Sequence, residues 1–295
     1  MKDIIFKLRT LVRHNTDGSE GTQAGREDGL QLYSRELWEL GFAVRDPRNL
    51  KPKHVTALVA HWKKTRISHA TIRNRLGHLR WLATKIGKPG LLPATNEIYG
   101  LEQRQRFKGI KAVPLDADKL ARIEEPRIRL ALRLQRAFGL RREEALKFRP
   151  AVADKGSYLA LQPSWTKGGR YREIPLTDPR QRALLDEVHA ACGRGSLIPE
   201  GIAFHLFRKA YDNATLRVGL RNNHGLRHWY ACWRYHRLTG EAPPAMGGRS
   251  CEDMTPSERR REFSVRLQVS RELGHNRVDV TATYLGPRWA RKVAV

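Results

Sequence analysis

A chain of 295 residues with 40% hydrophobic content and seven Trp is long enough to bury two separate cores, which excludes a disordered tail. Lys and Arg number 56 against 30 Asp and Glu, a formal net charge of +26, and both halves of the chain carry the excess. Such a balance argues for a polyanionic partner, because every phosphate neutralised by a basic side chain releases counterions. Nucleic acid is the leading partner class. A ribosome-associated or merely soluble cationic protein is the alternative on charge alone. Three cysteines, Cys192, Cys232 and Cys251, form no C-x-x-C pair and leave an odd count, as in a reduced intracellular protein. Met1 to Arg13 is amphipathic, without a long apolar run or a small-residue cleavage site, so neither export nor a membrane span is expected. The expected location is the cytoplasm, on the nucleoid.

The N-terminal part reads as helices. Leu30, Tyr33, Leu37 and Trp38 recur at helical spacing over 27–41 and stop at Gly41. A second helix starts near Pro52 with Val55, Leu58, Val59 and Trp62 on its core face. A third follows Ser68 and runs to Gly87, with Ile72, Leu76, Leu79 and Ile86 inward and Arg66, Arg73 and Arg80 as a stripe on the other side. Short helices with basic outer faces suit a domain that grips a duplex through its phosphates, although any one of these arginines could equally be solvated. Turn formers concentrate over 87–116, which puts the domain junction near 108–116 and the two domains at 1–110 and 111–295.

The C-terminal part mixes helices with one hairpin. An Arg-studded apolar helix over 126–138 breaks at Gly139, and Arg141 then opens a new helix with Glu144 three positions on, able to reach back to it. Residues 157–162 and 170–176 read as two strands around Gly168-Gly169, with Lys167 at the tip. Helices follow at 179–191 and 203–218. The segment His224-Gly225-Leu226-Arg227-His228 places His224 and Arg227 on one helical face, with His228 one position further. An i, i+4 His pair raises zinc, but Gly225 stands where a metalloprotease Glu would be and no further ligands are near in sequence, so no metal is expected. Leu238 to Arg261, with Pro243-Pro244, Gly247-Gly248 and Arg259-Arg260-Arg261, reads as an exposed loop before a helix ending at Leu273-Gly274-His275. Tyr284 comes nine residues later.

Arg141 with Glu144, Lys167, His224-x-x-Arg227, Leu273-Gly274-His275 and Tyr284 stand in the order of the tyrosine recombinase (phage integrase) family, which the C-terminal half resembles at six motif positions. The N-terminal helices look like that family's core-binding domain, less specifically. The resemblance implies an α+β fold, mainly helical with a small hairpin sheet: a helical core-binding domain followed by a catalytic domain. It implies that Tyr284 attacks the scissile phosphorus and keeps the 3′-phosphate, that Arg141 and Arg227 bind the non-bridging oxygens, and that His275 adds a hydrogen bond. Lys167 would protonate the departing 5′-oxygen and His224 would assist proton transfer from the tyrosine. It further implies double-stranded DNA as partner, a tetramer on that DNA, an accessory directionality factor, and strand exchange without metal or high-energy cofactor. Two features depart from the pattern. Forty-eight positions separate Arg227 from His275, more than is usual, and only eleven residues follow Tyr284, short for the C-terminal helix many members dock on a neighbour. No extra N-terminal arm-binding domain is evident.

The residues meet the same chemistry unaided. A tyrosine hydroxyl titrates near pH 10, so at neutral pH it needs an acceptor and a cationic field to act as a nucleophile. A phosphodiester under attack gathers charge on its equatorial oxygens, and each preorganised Arg or His donor there is worth about 3 kcal/mol. The leaving oxygen needs a proton, which a lysine can give. A covalent phosphotyrosine keeps the bond energy, which favours strand transfer over hydrolysis. The expectation is a site-specific DNA recombinase of a mobile element. A Xer-like resolver, a type IB topoisomerase and a catalytically silent DNA-binding regulator are the alternatives.

Overall fold

The computed structural model describes residues 1–101, 105, 107–166 and 168–289. The chain divides into two compact units, Met1–Gln105 and Arg106–Val295, each with its own apolar core. None of the helices described is long and apolar enough to cross a membrane.

The first unit is built from α1 (Lys2–Arg13), α2 (Glu20–Glu39), α3 (Pro52–Lys64) and α4 (His69–Lys85). In α1, Ile4, Leu8 and Val12 recur every four residues and bury one stripe. Ser19 caps α2 by accepting from the Thr22 N–H, and Ser68 caps α4 by accepting from Thr71. Pro52 opens α3 where its missing N–H is not needed. Trp62 is fully buried and donates its indole N–H to Glu36 at 2.8 Å. Glu36 also accepts from Arg75 at 3.1 Å, and that guanidinium lies over the rings of Trp62 and Tyr33.

Three expectations for this unit need adjusting. Trp38 is 38% exposed, because Leu30, Tyr33 and Leu37 already complete the inward face of α2. Arg66 does not continue the stripe of α4. It sits in the turn after α3 with a left-handed φ of 58°, ahead of the helix. Arg80 turns its guanidinium inward on the chain, donating to the carbonyl of Pro93 at 3.2 Å and to the Asn96 side chain, so it braces the segment after α4.

The second unit runs α5 (Ala117–Ala121), α6 (Pro126–Phe138), α7 (Arg142–Leu146), α8 (Pro150–Ala153), β1 (Tyr158–Leu161), β2 (Arg172–Pro175), α9 (Pro179–Cys192), α10 (Phe204–Arg217), α11 (Gly225–Thr239), α12 (Pro256–Glu272) and α13 (Ala282–Leu285). The mixed class is the one expected, mainly helical with a two-stranded antiparallel sheet. Its register pairs Leu159 with Ile174 and Leu161 with Arg172. Helix α6 lies centrally, with α9, α11 and the short α7 packed on it. Its apolar residues Ile128, Ala131, Leu134 and Phe138 are all buried.

The stretch 238–261 is not simply an exposed loop. Its last six residues form the start of α12, capped by Thr255, whose Oγ1 accepts from the Glu258 N–H while Glu258 accepts from the Thr255 N–H. Ala245, Cys251 and Met254 are buried.

Candidate active site

Four chain segments bring the site together. Arg141 precedes α7, and its backbone N–H and Nη1 both donate to Glu144, at 2.7 Å each. His224 and Arg227 come from the first turn of α11. The C-terminal end of α12 supplies the Leu273 carbonyl and leads into His275, and α13 carries Tyr284.

Gly225 has a clear reason to be glycine. The backbone of 111–113 passes over the start of α11, Val113 N–H donates to the Gly225 carbonyl at 3.2 Å, and a Cβ at 225 would stand 2.5 Å from the Lys111 carbonyl oxygen. The residue between the two motif positions is therefore a packing requirement, with no room for a carboxylate.

Arg227 is the centre. It is fully buried, with Nη1 donating to the Gly139 carbonyl, Nη2 to the Leu273 carbonyl and Nε to the Tyr284 phenol oxygen at 3.3 Å. Arg141 Nη2 lies 3.5 Å from the same Leu273 carbonyl, so the two guanidinium groups converge on one oxygen. The phenol oxygen of Tyr284 is also 3.5 Å from His275 Nε2. His228 packs its ring against Tyr284, centroids 4.6 Å apart, and the His224 ring stands 5.4 Å from that of His228. Tyr284 itself is 8% exposed. Arg141, Glu144, His224, Arg227, His275 and Tyr284 thus gather in one place. Lys167 lies outside the described residues, between β1 and β2.

The electrostatics follow from burial. Loss of solvation, then the charges of Arg227, Arg141, Arg172 and Arg170, hold His275 down at about 4. His224 is lowered by the same two causes, with Arg227, Arg141 and Lys111 as the cations. His228 falls to about 4 through burial, then His224, Lys111 and Arg227. All three rings are therefore neutral at pH 7. Burial alone would raise Glu144, but hydrogen bonds from Arg172 and the charges of Arg172, Arg141 and Arg227 outweigh it and leave the carboxyl at about 2. Desolvation lowers Arg227 to about 10, still a cation at neutral pH.

Two residues here carry a part that the motif did not assign. Arg172 of β2 is buried and forms a two-point ion pair with Glu144, Nη1–Oε1 2.9 Å and Nη2–Oε2 2.6 Å. Glu144 is thereby fixed from one side by Arg172 and holds Arg141 on the other. The signal lay in the strand pattern: Arg172 and Ile174 share the inward face, with Glu173 outward, and an inward Arg at a strand position demands a buried carboxylate. His228, to which the motif gives no part of its own, proves to be the ring that Tyr284 leans on.

No curated protein matches the chain by sequence. Among solved structures it is similar to a lambda integrase fragment in a dimer bound to a core site, with a TM-score of 0.62, 14% identity, and coverage of 100% of this chain and 99% of that one. It is also similar to the integrase of transposon Tn1549 in complex with circular-intermediate DNA, with a TM-score of 0.53, 16% identity and coverage of 99% and 96%. The third is the site-specific recombinase XerH on its palindromic substrate, with a TM-score of 0.58, 17% identity and coverage of 95% and 80%. At these identities the likeness shows the fold. Two family models match in tandem, one described as "Phage integrase, N-terminal" over residues 1–91 and one as "Integrase" over residues 116–233. Together they take in most of the chain in the order in which that family is built: the chain belongs to the tyrosine recombinase (phage integrase) family of site-specific DNA recombinases.

Proposed function

We propose that the protein cuts and rejoins DNA strands at a specific site through a 3′-phosphotyrosyl bond on Tyr284, as the integrase of a mobile element, acting as a tetramer on its DNA. One observation carries the reading: a buried Arg227, without a carboxylate partner among the described residues, holds the phenol oxygen of Tyr284 at 3.3 Å, beside Arg141 and His275. A guanidinium held by carbonyl and phenol oxygens keeps its whole positive charge for an incoming anion. The similar structures named above are DNA complexes of integrases and a recombinase, which supports a duplex as the ligand.

In the first step the Tyr284 oxygen attacks phosphorus, the bond from phosphorus to the 5′-oxygen breaks, and Lys167 supplies that oxygen with a proton. Arg141 and Arg227 take the non-bridging oxygens. The phenol must release its proton as it attacks, and neutral His275, 3.5 Å away, is the acceptor at hand. His224, neutral as well, donates to the phosphate from the start of α11. This exchanges the parts that the motif alone assigns to the two histidines. Rejoining is the reverse: a 5′-hydroxyl attacks the phosphotyrosine and the phenol leaves. Two resident donors and a bound nucleophile supply this without a high-energy cofactor.

The test is a nicked duplex spanning the junctions of the element that carries the gene, on which a cleaved strand cannot be resealed. The wild-type protein is expected to accumulate a covalent adduct. Tyr284→Phe is expected to bind the same duplex and form none. An adduct in Tyr284→Phe refutes the role of Tyr284, and relaxation of plasmids lacking any such junction would move the protein to the topoisomerase class.

A further inference from the structure

The stretch 238–261 contributes nothing to the ring of groups around Arg227, yet it is packed against the chain just after Tyr284. Helix α13 is a single turn and cannot hold its own position. Its ends are held from outside. Arg266 Nη1 donates upstream to Thr281 Oγ1 at 3.3 Å and downstream to the Gly286 carbonyl at 2.8 Å. Arg266 is fixed in turn by Glu262, whose other oxygen accepts from Arg288 Nε at 2.7 Å. Arg288 donates to the Arg259 carbonyl at 3.1 Å, and its own carbonyl accepts from the Cys251 N–H at 2.7 Å. Gly286 has a φ of +81°, and a Cβ there would stand 2.7 Å from the Ala245 nitrogen. Backbone therefore lies on backbone, with no room for a side chain.

We propose that 238–261, with the buried pair Arg266 and Glu262 and the half-buried Arg288, is a clamp that fixes the Tyr284 turn at the Arg227 site of its own chain, making Glu262 and Arg288 positioning residues for the nucleophile. The proposal rests on Tyr284 being that nucleophile. Attack in line requires the phenol oxygen to be placed within a fraction of an ångström, and a misplacement of about 1 Å costs roughly 10²-fold in rate. Thr281 and Gly286, the two points that Arg266 holds, flank the tyrosine on either side.

The experiment uses the whole chain and the nicked duplex described above. Arg288→Ala opens the outer end of the clamp, and Gly286→Ala pushes the two backbones apart. Both are expected to lower the rate of adduct formation at saturating DNA by roughly 10²-fold while the dissociation constant for non-covalent binding changes less than about twofold. Arg288→Lys, which keeps a cation for Glu262, is expected to recover part of the rate. Wild-type rates in Arg288→Ala and Gly286→Ala, or losses that more DNA restores, overturn the clamp. A second readout needs no cleavage of DNA: tryptic cutting after Arg288, followed by intact mass, is expected to be at least roughly tenfold faster in Glu262→Gln than in wild type. Equal rates overturn the clamp whether or not the wild type forms an adduct, whereas a missing wild-type adduct counts against the nucleophile.

Discussion

Arg227 and Arg234 lie seven residues apart on α11, both buried, and their surroundings differ in one respect. Arg234 meets the carboxylate of Glu272, with Nε at 3.0 Å and Nη2 at 2.9 Å. Arg227 meets the carbonyl of the very next residue, Leu273, together with the Gly139 carbonyl and a phenol. The same contrast holds across the described residues: buried Arg26, Arg172, Arg234 and Arg266 each pair with a carboxylate, and Arg227 pairs with none. A paired buried guanidinium is part of the scaffold. An unpaired one is a site kept ready for an anion, at some cost in desolvation.

The sharpest way to break this comparison is to remove each charge in turn. Arg227→Met is expected to reduce adduct formation by about 10²–10³-fold, the usual loss for one donor to a transition-state oxyanion. In stability it leaves two carbonyls without a donor, a cost of about 1–3 kcal/mol. Arg234→Met strands Glu272 in the interior, for about 3–5 kcal/mol, and leaves the cleavage rate per folded molecule near wild type. Denaturant melts and single-turnover cleavage on the same four samples (wild type, the two single variants, the double) decide it. A larger stability loss for Arg227→Met than for Arg234→Met contradicts the distinction.

Arg172 sits between the two classes, scaffold by its partner and catalytic support by its position. Arg172→Ala leaves Glu144 with Arg141 alone. It is expected to cost about 3–5 kcal/mol in denaturant melts and to slow cleavage further by loosening Arg141. Sequence spacing made most of the cluster around Arg227 legible, because the residues proposed to meet the phosphate are few and stand at fixed offsets, as in His224-x-x-Arg227. The supporting contacts were legible only in part. Glu144 stands three positions after Arg141, and alternation over 172–174 marks Arg172 as inward, but spacing does not say that Glu144 is the carboxylate Arg172 meets. The packing of 244–254 against 286–288 joins segments about forty residues apart with only Pro, Gly and Arg composition to announce it. In the N-terminal unit, helical periodicity placed Val55, Leu58, Val59 and Trp62 correctly. It did not show that Arg66 sits in a left-handed turn ahead of α4, off the stripe of that helix.

Acid should separate the groups next. His228 and His275, at about 4 in the fold against an ordinary 6.5, are neutral in the folded protein while the unfolded chain takes up protons. Stability therefore falls as pH drops from about 6.5 towards 4. Glu144, lowered from 4.5 to about 2, adds its own loss as pH falls through the window below 4.5. Melting temperatures measured from pH 7 to 4 should decline, and His228→Phe should flatten the upper part of that decline. An unchanged slope would mean that His228 is not held neutral.

The smallest effects belong to the N-terminal arginines. Arg80→Ala should lower stability by about 1 kcal/mol, through the lost ties to Pro93 and Asn96, and leave the salt dependence of DNA binding unchanged. Arg66→Ala, in the turn ahead of α4, should reduce the slope of log affinity against log salt by about 1 if it neutralises a phosphate.

The central claim reduces to which atom holds the DNA. Wild-type protein trapped on the nicked duplex, digested and sequenced by mass spectrometry, should carry the nucleotide on the peptide containing Thr283-Tyr284-Leu285, with the modification on the phenol of Tyr284 and a free 5′-hydroxyl on the released strand. A nucleotide on any other residue, or a 5′-phosphate on the released strand, would contradict it.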